Sequence, residues 1–90
     1  MFAQGKITTD RNVIEKWAKA RHGWPAIVRT ATNVGVEMAL SIVFPDGEDR
    51  ESANKISWEE FFEKFDQQNL VFMYREKDPN QKLSRYFVFM

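Results

Sequence analysis

Arg21-His22-Gly23-Trp24-Pro25, with Arg29 close behind, is the one stretch of this chain whose residue types suggest a ligand. An indole beside guanidinium groups can stack on a base or a sugar while the charges meet phosphate. Arg21, His22, Trp24 and Arg29 are therefore the candidate ligand-binding residues, and single-stranded nucleic acid is the ligand they would suit. The same residues also have a structural explanation, which is preferred: Trp24 closes the bottom of a core while Arg21 satisfies carbonyls at a helix end. His22 is the only histidine. A general base needs an orienting partner and a metal needs further ligands, so a place at a helix C-terminus, where positive charge is favoured, explains it better.

The carboxylates gather in Asp46-Gly47-Glu48-Asp49 and Glu59-Glu60. Acid–base pairs need fixed separations on a rigid frame, which a loop does not provide. Asp46-x-Glu48 begins a calcium loop, but the remaining ligand positions are missing. Glu59 and Glu60 fit the first turn of a helix, where the dipole favours them. The four glycines are scattered and build no phosphate loop. The absence of cysteine excludes disulfides, thiolate chemistry and cysteine-held metals. The expectation is a protein that is not an enzyme, with no cofactor and no metal.

Helices and strands must position these groups. Thr9 and Asp10 are N-cap candidates, and Val13, Ile14, Trp17 and Ala18 share one helical face, which predicts a first helix over residues 10–22. Gly23 is expected in the left-handed position that ends it, and Pro25 prevents its resumption. Residues 26–32 read as a strand whose inward face is either Ile27 or the Ala26/Val28/Thr30 set. After a turn at residues 33–35, Val36, Met38, Leu40, Ile42 and Phe44 alternate with their neighbours, the clearest strand pattern in the chain. Residues 45–55 read as a mobile acidic loop. Ser57-Trp58-Glu59-Glu60 is a capping box, and Trp58, Phe61, Phe62 and Phe65 form the apolar stripe of a second helix over residues 58–68. Residues 70–75 and 83–90 are the last two strands, joined through a turn at Asp78-Pro79-Asn80. Residues 1–8 are an N-terminal arm or a short strand.

A helix followed by two strands thus occurs twice, with Ile14-Glu15-Lys16-Trp17 echoed by Phe62-Glu63-Lys64-Phe65. The expected fold is α+β in the order α-β-β-α-β-β, a four-stranded antiparallel sheet with both helices on one face. Ninety residues, 43% apolar and 14% aromatic, make one ordered domain spanning residues 1–90. The net charge of zero argues against a dedicated nucleic-acid binder, although six basic groups against two acidic in the first 32 residues leave room for a local patch. No apolar run is long enough to span a bilayer and the first residues lack a signal-peptide pattern, so a cytoplasmic protein without membrane partners is expected.

Trp17-Ala18-Lys19-Ala20-Arg21-His22-Gly23-Trp24-Pro25-Ala26-Ile27-Val28 resembles a small bacterial family of uncharacterised proteins, whose helix ends in a Trp-x-x-x-Arg-x-Gly-x-Pro-Ala-x-Val pattern. Ile56-Ser57-Trp58-Glu59-Glu60-Phe61-Phe62-Glu63-Lys64-Phe65 is similar to that family's second signature, and Tyr74 and Ser84-Arg85-Tyr86-Phe87 to its closing strands. The resemblance runs from about Thr9 onward. Members are sometimes labelled as glucan-branching enzymes, but this chain is too short for such a barrel and lacks its carboxylates. The resemblance implies no established activity and no site residues. Glu37-Met38-Ala39-Leu40 departs from the glycine-led aliphatic run more usual there. The leading expectation is a non-enzymatic binding or regulatory domain acting through protein contacts, with a protein partner or a homodimer formed through the uncharged C-terminal strand, residues 86–90. Single-stranded nucleic-acid binding is the alternative.

Overall fold

The computed structural model describes residues 5–47 and 53–90. Its first helix, α1 (Arg11–Ala20), starts where the Asp10 carboxylate accepts from the Asn12 amide at 2.8 Å, and it buries Ile14, Trp17 and Ala18. The second, α2 (Trp58–Gln67), starts where the Glu60 amide donates to Ser57 Oγ at 3.0 Å, and it buries Phe61, Phe62 and Phe65. Both helices end in one device. His22 takes a left-handed φ of 61°, its amide donating to Lys19 and that of Gly23 to Ala18. Asn69 takes φ 53°, its amide donating to Asp66 and that of Leu70 to Phe65. These are paired Schellman bonds, which satisfy carbonyls that a helix end leaves open. The left-handed residue is thus His22 rather than Gly23. Glycine at 23 answers a different need, because a Cβ there would lie 2.8 Å from Ile42 Cγ2 and 3.0 Å from Phe44 Cε1.

The strands do not form one four-stranded sheet. β1 (Lys6–Thr8) precedes α1, β2 (Trp24–Thr32) and β3 (Gly35–Val43) follow it, β4 (Ala53–Lys55) precedes α2, and β5 (Phe72–Tyr74) and β6 (Phe87–Phe89) close the chain. They build two three-stranded antiparallel sheets, ordered β1-β5-β6 and β3-β2-β4. Lys6 stands opposite Tyr74, Phe72 opposite Phe89, Ala26 opposite Lys55 and Ile27 opposite Leu40. The repeated unit is therefore β-α-β-β, and the two units exchange their first strands. Lys6–Thr8 take the short-strand reading of residues 1–8, whereas the described residues of β4 are too few for alternation to show. β4 also occupies the end of the stretch read as a mobile loop; residues 48–52 of that stretch, and residues 1–4 of the N-terminal arm, lie outside the described residues.

Between the sheets and helices lies one aromatic core. Trp17 meets Phe72, Phe87 and Phe44 edge-on at ring-centroid distances of 5.4, 5.8 and 6.2 Å, and Phe61 meets Phe62 at 5.1 Å. Ile27 turns toward this core together with Leu40 and Ile42, which resolves the inward face of β2 in favour of Ile27, although Ala26 on the other face is also buried. A ten-residue helix covers ~15 Å, whereas a nine-residue strand reaches ~30 Å. α2 can therefore shelter only part of the hairpin that β2 and β3 form. Leu40, Ile42 and Val43 are buried, while Val36 and Met38 are each 60% exposed and Val34 at the turn is 93% exposed. Among the described residues, no helix is long and apolar enough to cross a membrane.

Candidate functional site

Arg21 ends α1 and is 4% exposed. Its Nη1 donates to the Trp17 carbonyl at 2.8 Å and its Nη2 to the Glu76 carbonyl at 2.7 Å, while Nε donates to the Ser84 carbonyl. The guanidinium lies 4.4 Å from the centroid of the Trp17 ring, and Trp17 Nε1 donates to the Arg75 carbonyl at 3.0 Å. Burial lowers the Arg21 pKa, opposed by the nearby Glu76 charge. A planar fork of donors suits this arrangement, in which one side chain ties the end of α1 to the chain on both sides of the turn between β5 and β6. Arg21 is a clamp on backbone.

The other three candidates do not gather around it. His22 is exposed at the left-handed end of α1. Trp24 is half-buried at the start of β2, and the Lys55 ammonium stands 5.7 Å from its ring centroid. Arg29 is exposed five residues along the same strand, and odd spacing puts it on the opposite face from Trp24. The structure thus joins Trp24 to Lys55, not to Arg21 or Arg29.

The carboxylates are likewise occupied or solvated. Asp46 pairs with Arg85, whose guanidinium lies 5.0 Å from the Phe44 ring centroid; hydrogen bonding to Arg85 holds the Asp46 carboxyl below its ordinary range. Glu59 and Glu60 are exposed in the first turn of α2, and Glu48 and Asp49 lie outside the described residues. Among the described residues, no three metal-ligating side chains come together.

Among the described residues, hollows open at two places on the surface that bear on the site. One of about 380 Å³ lies at the C-terminal end of α2 against Thr9, Asp66 and Asn69, with Asp66 paired to Arg11. The other, about 130 Å³, lies where the hairpin leaves the shelter of α2, walled by Ile27, Met38, Ala39 and Leu40 and rimmed by Lys64 and Gln68. Beyond it the apolar face of the hairpin continues into solvent. Arg29 and Met38 stand opposite each other there, as do Ala31 and Val36. Val34, Val36 and Met38 are exposed together on this arm, while the other exposed large apolar residues, Ile7, Leu83, Tyr86 and Met90, belong to the β1 and β5–β6 side of the fold. The signal was present: an alternating stripe longer than the helix available to cover it. Neither known protein families, nor characterised proteins, nor solved structures match the chain.

Proposed function

We propose that this chain is a non-enzymatic binding module acting through protein contacts, and that the overhanging half of the β2–β3 hairpin makes them. The observation that carries this reading is the exposure of Val34, Val36 and Met38 together on one arm. Single exposed apolar residues are ordinary, whereas a contiguous set beside an unpaired strand edge marks a contact surface. The nucleic-acid alternative draws less support, since Arg21 is held by carbonyls and Trp24 and Arg29 face opposite ways. Membership of the uncharacterised bacterial family is part of the proposal, supported by the two signatures at residues 17–28 and 56–65.

A photo-crosslinking residue placed at Val34 in growing cells tests the reading, with Lys16 on the exposed face of α1 as control. A protein adduct is expected from position 34 and not from 16, and Met38→Lys should reduce it at least tenfold. No adduct, or equal adducts from both positions, overturns the proposal. A stability comparison accompanies it. Met38→Lys should leave the unfolding free energy within about 0.5 kcal/mol, as surface changes do, whereas Leu40→Ala at the buried end of the same stripe should cost about 2–4 kcal/mol.

A further inference from the structure

We infer that the partner of this arm is a second copy of the chain, joined by antiparallel pairing of β3 with β3 across a twofold axis. The inference rests on the reading of the hairpin as a contact surface and names what the surface meets.

Among the described residues each sheet ends in two edge strands, and three of the four edges show only three residues. Shortness is one way in which proteins keep an edge from recruiting another strand; lysine and proline on the edge are others. β3 uses none of these. It runs nine residues, Gly35–Val43, with no lysine, arginine or proline and a single charge, Glu37. Among the described residues its outer backbone groups meet no other strand, because β3 pairs with β2 alone. A row of unpaired amides and carbonyls is matched best by another extended strand.

The chain's own β3 suits that role. A twofold antiparallel pairing sets residue i opposite residue j with a constant even sum, so even positions face even positions on one side of the joined sheet. Val36, Met38 and Leu40 of both copies then make one continuous apolar face. Centring the axis on Met38 pairs the solvated half of the strand and places Val36 opposite Leu40 of the partner subunit. Each copy's Val36 thereby reaches the 130 Å³ hollow that Leu40, Ile27 and Met38 wall in the other. The same register sets Glu37 against Ala39 of the partner subunit, whereas a register centred one residue earlier would oppose two glutamates. The contact is small, at the low end of specific interfaces, so the dimer should form with a Kd on the order of micromolar or weaker.

The C-terminal strand, where the sequence places a dimer, is also an edge, but β6 offers three residues and turns Phe87 and Phe89 into the core. The two edges can be told apart with single cysteines, because the chain has none of its own. Directly opposed Cα atoms in an antiparallel pair are ~4.5–5.5 Å apart, within the range a disulfide spans. Met38→Cys should therefore give a disulfide-linked dimer on mild oxidation at least ten times faster than Val88→Cys on β6. In light scattering, the mass of the unmodified chain should rise toward twice the monomer with concentration, and Met38→Lys should raise the dimer Kd at least tenfold. Faster or equal linking at Val88, or an unmodified chain that stays monomeric at high concentration, overturns the inference. A photo-adduct from Val34 to a different protein, without self-association, overturns the dimer and leaves the binding-module reading standing; no adduct and no dimer removes both.

Discussion

Replacing Arg21 is the most direct test of how the fold is held together. Its side chain supplies three short hydrogen bonds to the carbonyls of Trp17, Glu76 and Ser84 in a buried setting. Charge-assisted bonds to backbone contribute more than neutral ones, and truncation leaves the acceptors to find water. At about 1–1.5 kcal/mol net for each of three bonds, Arg21→Ala should lose ~3–4.5 kcal/mol. A domain of this size has about 5–14 kcal/mol in all, at roughly 0.05–0.15 per residue, so the loss is a large share. Arg21→Met keeps the aliphatic stem over Trp17 and loses every bond, and it should resemble Ala. Arg21→Lys keeps the charge without the planar fork and should fall between, at ~1.5–3 kcal/mol. Urea titration followed by tryptophan fluorescence and circular dichroism would measure all three, and Arg21→Ala should melt at least ~12 °C lower, at ~4–8 °C per kcal/mol. A loss below about 1 kcal/mol for Ala, or a Met variant as stable as the parent, would refute the clamp: packing, not the donor fork, would then hold that corner.

Two further outcomes follow from local geometry. Gly23→Ala should destabilise by about 1–3 kcal/mol, because its Cβ would enter the space of Ile42 and Phe44, while His22→Gly should stabilise by about 0.5–1 kcal/mol by relieving a left-handed non-glycine residue; thermal melts that rank the two the other way would show that the cap, not the close approach, requires the glycine. The Asp46–Arg85 pair should support the fold fully above the unfolded carboxyl pKa of ~3.9 and cease to do so as pH falls through the lower folded value. An NMR titration should show the Asp46 midpoint rising in Arg85→Gln, and an unchanged midpoint would mean that the pair does not form in solution.

Both helices, their N-caps and their buried faces were legible, because ten-residue amphipathic segments carry a period that survives any tertiary arrangement, whereas the left-handed end of the first fell on His22 instead of Gly23. The long alternation from Val36 to Phe44 was equally plain. What the residues could not show was how far the core extends along it, since Val36 and Leu40 are alike in type and differ only in whether α2 lies over them. The exchange of β1 and β4 was hidden because nothing in Lys6-Ile7-Thr8 or Ala53-Asn54-Lys55 says which hairpin each segment joins. The echo of Ile14 in Phe62 is one residue out of register with the structure. Aligning the N-caps Asp10 and Ser57 also aligns the left-handed residues His22 and Asn69, a spacing that sets Ile14 beside Phe61 rather than Phe62. For the site, the structural explanation of Arg21 as a donor to helix-end carbonyls holds at Trp17, but its reach to Glu76 and Ser84 joins segments too distant in sequence to be paired by pattern.

The clearest pointer to function lies where the two units stop matching. Each ends in a hairpin of similar chain length, but the lengths are used differently. Between β5 and β6 the chain folds back: Lys77 bridges to Leu83, the Asp78 carboxylate accepts from the Asn80 and Lys82 amides, and Arg21 gathers the carbonyls of residues 76 and 84. Between β2 and β3 only a two-residue turn intervenes, and the strands run straight out past the end of α2. Core packing explains the first arrangement, because the returning segment covers Trp17 and satisfies buried donors. It does not explain the second, because the outer half of the hairpin buries little of its own and leaves valine and methionine in water. Two units built to one plan thus differ in one unsheltered arm, and that difference is what supports proposing a contact surface there.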